Sequence, residues 1–126
     1  MGTQPEPLLR KRILLVEDER CVRDSIRQLL HLDDHTVIEA NNGAEALGLF
    51  AQHQFDLVLT DYVMPFIKGT ELAARIKKLA PNQPILMITA YGIKPGPHNS
   101  VDAVLRKPFD LDKLRSAVAE TLSVPV

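Results

Sequence analysis

Tryptophan is missing, cysteine occurs once, and two tyrosines and four phenylalanines supply all the aromatic surface. A lone Cys21 excludes an internal disulfide framework and suits a reducing compartment. So few rings make a base-stacking surface for nucleic acid a poor prospect. Neither sign of charge dominates: the formal net charge is −1, with no general attraction for nucleic acid or an anionic membrane. No apolar run approaches the roughly 20 residues of a membrane span, and Met1 to Arg12 lacks the apolar stretch of a signal peptide. A cytoplasmic protein is expected, without membrane insertion or a direct nucleic-acid partner. What is present is ordinary for a globular chain: 126 residues, 45 % hydrophobic and 25 % charged, enough for one domain with a real core.

Four apolar runs end in chemically capable side chains. Ile13-Leu14-Leu15-Val16 runs into Glu17-Asp18-Glu19, and Phe55 to Thr60 runs into Asp61. Ile85-Leu86-Met87-Ile88 ends in Thr89-Ala90, and Val101 to Arg106 ends in Lys107-Pro108. Continuous apolar runs of this length read as strands covered on both faces.

Between them lie helical patterns. Val22, Ile26, Leu29 and Leu30 repeat at about 3.6 residues, then His31 to His35 breaks the pattern and Thr36 to Ala40 suits another strand. Asn42 and Glu45 have capping-box spacing ahead of a helix burying Ala46, Leu47 and Phe50. Leu72, Ala73, Ile76, Leu79 and Ala80 make a third stripe, ended by Pro81. Asp110 is a good N-cap for a last helix carrying Leu111, Leu114, Val118 and Leu122. Strand–helix alternation at this spacing predicts a doubly wound α/β fold with a parallel sheet. Residues 1–11, with Gln4-Pro5-Glu6-Pro7, read as a flexible leader or linker remnant, and residues 12–123 as the domain.

In open sheets of this kind, ligands bind at the carboxyl ends of strands beside the switch point. Glu17, Asp18, Asp61, Thr89 and Lys107 then share one edge, whereas Asp56 falls on the other and reads as solvated or capping. Three carboxylates in a cleft either hold protons or take up a cation. An oxygen-only donor set favours a hard ion such as Mg²⁺. A carboxylate beside such an ion can attack a phosphoryl group, Lys107 offers a point charge to a phosphoryl oxygen, and Thr89 offers a hydroxyl.

In these four motifs the chain resembles the response-regulator receiver domains of two-component signalling, from about Lys11 to Leu122. The resemblance is carried by Glu17-Asp18-Glu19, Asp61-Tyr62-Val63-Met64-Pro65 with Gly69 after it, Thr89-Ala90, and Lys107-Pro108-Phe109. It implies the flavodoxin-like strand order 2-1-3-4-5, and Asp61 as the phosphorylated residue. It further implies Mg²⁺ held by Asp18, Asp61 and the main-chain carbonyl of Val63, with Glu17 acting through water. Thr89 and Lys107 would bind the phosphoryl group and report it, and the Lys107–Pro108 peptide would be cis. A histidine kinase or histidine phosphotransfer protein would be the donor, an unknown protein the downstream partner, and the chain a monomer or weak dimer. Catalysis would be confined to the domain's own phosphorylation and slow autodephosphorylation.

Two features depart from the family. Gly92 to Ser100, short and rich in Gly and Pro, predicts a loop or short turn where a fourth helix is usual. Val104 stands where the family tends to place an aromatic switch residue. Tyr91 is the candidate shield over the phosphoryl group, with Val63 beside it. A pseudo-receiver that binds partners without phosphorylation is the alternative. An FMN site is disfavoured because Glu17-Asp18-Glu19 would repel a bare phosphate, and a dehalogenase-type phosphatase because no Asp-x-Asp pair follows the first strand. Nor is a metal pair expected at His31 and His35, or a reactive thiol at Cys21 beside an acidic loop. Since Val126 closely follows the last helix, two arrangements stay open: a free-standing receiver, or the carboxyl-terminal receiver of a hybrid kinase.

Overall fold

A computed structural model describes residues 10–90, 92, 96 and 100–122. Its elements run β1 (Arg12–Val16), α1 (Arg20–His31), β2 (Thr36–Ala40), α2 (Gly43–Gln52) and β3 (Leu57–Asp61). Then come α3 (Gly69–Leu79), β4 (Ile85–Thr89), β5 (Ala103–Arg106) and α4 (Leu111–Leu122). The five strands form one parallel sheet in the order β2-β1-β3-β4-β5. β3 and β4 are buried at every residue, which is why their sequences are apolar without alternation.

Successive strand side chains go to opposite faces. Ile13, Leu15, Leu57, Leu59, Leu86 and Ile88 pack with Ile26 and Leu30 of α1 and Leu114 and Val118 of α4. Leu14, Val16, Val58, Ile85 and Met87 pack with Ala46 of α2 and Leu72, Ala73 and Ile76 of α3. Two helices on each face leave the strand ends as the sheet's open edges. Helix starts follow the sequence closely: Asn42 Oδ1 accepts from the Glu45 N–H at 2.8 Å, and Asp110 Oδ1 from the Lys113 N–H at 2.9 Å.

Two expectations need adjustment. Leu79 is 66 % exposed rather than part of the α3 stripe; it is the last helical residue, and Ala80 leaves the helical region at φ −146°, ψ 88°. The fifth strand starts at Ala103, not Val101. Val101 instead forms an isolated antiparallel bridge with Gly96, whose N–H donates to the Val101 carbonyl at 3.0 Å. Among the described residues no helix lies between β4 and β5, but most of the expected loop at 92–100 lies outside them. No helix among the described residues is long and apolar enough to cross a membrane.

Candidate functional site

The sheet switches direction at β1, which has β2 on one side and β3 on the other. At that point the carboxyl ends of β1 and β3 lie side by side, with Val16 level with Thr60. Main-chain bonds carry the ladder one residue further. Glu17 N–H donates to the Ala40 carbonyl at 3.1 Å, Tyr62 N–H to Ile88 at 2.9 Å, and Lys107 N–H to Thr89 at 2.8 Å. Glu17, Asp61 and Lys107 are therefore placed at this rim by the sheet itself, and Asp18 by the bend that follows β1.

Glu17, Asp18 and Asp61 each present a carboxylate oxygen within 4.8 Å of the others. Glu17 and Asp61 are buried and Asp18 is exposed. Lys107 Nζ reaches across from the end of β5, 3.3 Å from Asp61 Oδ1 and 3.7 Å from Glu17 Oε1. The Lys107–Pro108 peptide is cis. Asp61 Oδ1 also accepts the Tyr62 N–H at 3.0 Å, and Glu17 Oε2 accepts the Glu19 N–H at 3.0 Å. Thr89 is buried at the end of β4, one residue beyond Ile88, the partner of Asp61 in the register. Gly69 closes the loop after Asp61, its N–H donating to the Tyr62 carbonyl at 3.0 Å. A Cβ at Gly69 would overlap the Asp61 main-chain oxygen and sit 3.0 Å from Tyr62 Cα, so the close approach needs glycine.

The electrostatics are those of a site short of positive charge. Burial, opposed by the Glu19 N–H and reinforced by Asp61, pushes Glu17 from its ordinary 4.5 up to about 7. Burial also raises Asp61, with Lys107 pulling the other way. Glu17 Oε1 is buried and makes no hydrogen bond. An orphaned carboxylate oxygen beside two more carboxylates fits a hard divalent cation, which would satisfy all three at once. The donor set is oxygen only, with neither sulfur nor imidazole among the three.

Other candidates fall elsewhere. Asp56 lies on the opposite edge, its Oδ2 accepting the Arg12 N–H at 2.8 Å. His35 is buried and its Nδ1 accepts the Lys11 N–H at 3.0 Å, whereas His31 is exposed at the end of α1. Cys21 is exposed. Val63 is 55 % exposed beside the site, and Val104 is half-buried against the α2–α3 face. Tyr91 lies outside the described residues.

Arg23 was not legible as part of this neighbourhood. Its guanidinium donates to the Glu17 carbonyl at 2.9 Å and to Asn41 Oδ1, and it lies 3.4 Å from Glu39. It thereby ties α1 and the end of β2 to the acidic loop. In the sequence it is one of four arginine or acidic residues of α1, and nothing local distinguishes it.

A parallel sheet whose switch point gathers three carboxylates and a lysine defines a class, the phosphoacceptor signalling domain. Residues 13–119 match the response regulator receiver domain family, and the chain belongs to it. It is 31 % identical to the chemotaxis protein CheY of Halobacterium salinarum over 90 % of this chain and 98 % of that one. It is 29 % identical to sporulation initiation phosphotransferase F of Bacillus subtilis, over 91 % and 96 %. Against the response regulator MprA of a Mycobacterium species it is 36 % identical, but it spans 46 % of that protein's length. Among solved structures, response regulator TrrA of Thermotoga maritima, in complex with Mg²⁺ and BeF, superposes with a TM-score of 0.82 at 34 % identity. That match covers 89 % of this chain and 99 % of TrrA. TrrA bound to the histidine kinase ThkA superposes at 0.80 with 35 % identity, covering 90 % and 99 %.

Proposed function

We propose that Asp61 is the phosphoryl acceptor and that the rim around it is one functional unit within a domain spanning about residues 12–123. The observation that carries this is the meeting of Asp61 with the two other carboxylates within 4.8 Å and with Lys107 Nζ at 3.3 Å. Asp18, Asp61 and the Val63 carbonyl would hold Mg²⁺ directly, and Glu17 through water. When bound, the ion neutralises charge on the carboxylates and on the incoming phosphoryl oxygens.

An Asp61 carboxylate oxygen attacks phosphorus from the side opposite the donor's imidazole nitrogen. The new O–P bond makes an acyl phosphate as the P–N bond breaks, and the imidazole keeps the electron pair. Lys107 is positioned to leave Glu17 and follow the phosphoryl oxygens. Thr89 supplies a hydroxyl from the end of β4, and Tyr91 is the proposed shield against water. A histidine kinase or phosphotransfer protein is the donor, which the TrrA–ThkA complex supports for a relative. The state with phosphoryl at Asp61 then differs in affinity for a downstream protein, and only that difference transmits the signal. With such a donor the domain works in the cytoplasm, as a monomer or weak dimer.

Labelling with acetyl phosphate and Mg²⁺ tests the reading. Incorporation is expected in the unsubstituted chain, at background in Asp61→Asn, and strongly reduced in Asp18→Asn and Lys107→Ala. Undiminished label in Asp61→Asn would refute the assignment.

A further inference from the structure

The loop after Asp61 holds an aromatic ring in open solvent. Phe66 is 96 % exposed, and its backbone lies in the left-handed region at φ 70°. The Ile67 N–H donates to the Pro65 carbonyl at 2.8 Å. An i to i+2 bond around a positive central φ is the rarer, strained form of γ-turn. Residues with a Cβ avoid this region, and bulky ones most of all.

The residues beside Phe66 are anchored. Met64 is buried and lies 3.9 Å from Thr60 Oγ1. Ile67 packs over Gly43, so closely that a Cβ there would sit 2.9 Å from Ile67 Cβ. The Gly69–Tyr62 bond shuts the loop. Between these anchors the turn holds Phe66 outward, with Val63 exposed three residues before it. An exposed ring in a disfavoured conformation contributes nothing to this core, which points to use at a surface.

We propose that Phe66, with Val63, is a docking contact for the protein that donates the phosphoryl group, its ring entering an apolar recess beside the donor's phosphorylated side chain. The proposal rests on Asp61 being the acceptor. Asp61 is only 8 % exposed, so the donor must come down onto this rim. A standard protein contact covers about 800 Å² on each partner, a disc of about 16 Å radius. Five residues of fully extended chain reach at most about 18 Å, and the Gly69–Tyr62 bond folds this loop back well short of that. Phe66 therefore lies inside the footprint of any protein donor centred on Asp61. A second copy of this chain, or a downstream partner, has no comparable need to cover the ring. A rigid aromatic side chain is also the kind of anchor that supplies contact area at low entropic cost.

The test compares two donors on the full chain. One is acetyl phosphate; the other is the purified, phosphorylated histidine-kinase core that labels the unsubstituted chain fastest in a panel. Phe66→Asn and Phe66→Ala are expected to lower kcat/KM for the kinase donor about tenfold or more, mainly through KM, while acetyl phosphate labelling stays within about twofold. Phe66→Asn is also expected to raise Tm, because asparagine tolerates the left-handed region. Unchanged transfer from the kinase would overturn the proposal. An equal fall with both donors would overturn it too, making Phe66 a residue that shapes the acceptor loop. Loss of self-association in Phe66→Asn, with kinase transfer intact, would place a second copy there instead. If acetyl phosphate fails to label even the unsubstituted chain, the assignment of Asp61 falls, and this inference with it.

Discussion

The two edges of the sheet treat charge in opposite ways. At the amino edge Asp33, Asp56 and Asp102, each just ahead of a strand, all have partners. Both carboxylate oxygens of Asp33, ahead of β2, accept from Arg115 at 2.6–3.2 Å. Asp56, ahead of β3, takes the Arg12 N–H. Asp102, ahead of β5, takes the Ile85 N–H and the Lys77 ammonium, both at 2.8 Å. At the carboxyl edge three carboxylates cluster, Asp61 and Glu17 share the Lys107 ammonium, and a buried Glu17 oxygen has no hydrogen bond. One edge stitches the fold. The other holds an unsatisfied arrangement that a cation would complete, and such sites are where folds give up stability for chemistry.

That contrast can be broken by mutation. Gly69→Ala has the largest expected effect on stability, about 3 kcal/mol by overpacking, because the new Cβ meets main chain on both sides of Asp61. It should also lower acetyl phosphate labelling, since the chain beside Asp61, the proposed acceptor, must move. Denaturant midpoints would show the first effect.

Next come paired substitutions across the two edges. Arg115→Ala strands the buried Asp33 carboxylate and should lower the urea midpoint clearly. Asp61→Ala removes a buried like charge and should leave the metal-free midpoint unchanged or higher at pH 8. Equal losses from both would erase the distinction between the edges.

Acid titration sharpens it. Because Glu17 is held at about 7 when folded, against 4.5 ordinarily, the folded metal-free chain binds the extra proton between those values. Its contribution to stability is therefore fully present below 4.5 and is lost as pH rises to about 7. At the other edge, burial lowers His35 below its ordinary 6.5, so stability from that group is present above 6.5 and lost as pH falls through the folded value. In metal-free buffer, Glu17→Gln should flatten the loss toward neutral pH and leave the acid-side fall, whereas His35→Gln should do the reverse. Thermal melts from pH 4 to 8 would read both slopes. The smallest expected effect is that of Asn42→Ala, about 1 kcal/mol for a lost cap, with no change in labelling by acetyl phosphate.

The strands that deliver Asp61, Glu17 and Thr89 were legible because a sheet covered on both faces demands continuous apolar runs, and a run's end marks a site edge. Asp18 and Lys107 followed from the same reasoning with the family resemblance added. Arg23, Asp33 and Phe66 were not legible. Asp33 sits in a polar break that reads as an ordinary turn, and its partner Arg115 is 82 residues away. Phe66 reads as one more apolar residue until its φ and its exposure are known together.

By itself, then, the chain's pattern of apolar runs, caps and reactive strand ends determined the layered parallel fold and which carboxylate, hydroxyl and ammonium share an edge. Periodicity and strand polarity are local properties, written residue by residue. Tertiary structure alone decided which charges are satisfied, which ring stands in solvent, and which arginine braces the acidic loop. Those outcomes depend on distances between segments remote in sequence, and burial turns such distances into stability or strain.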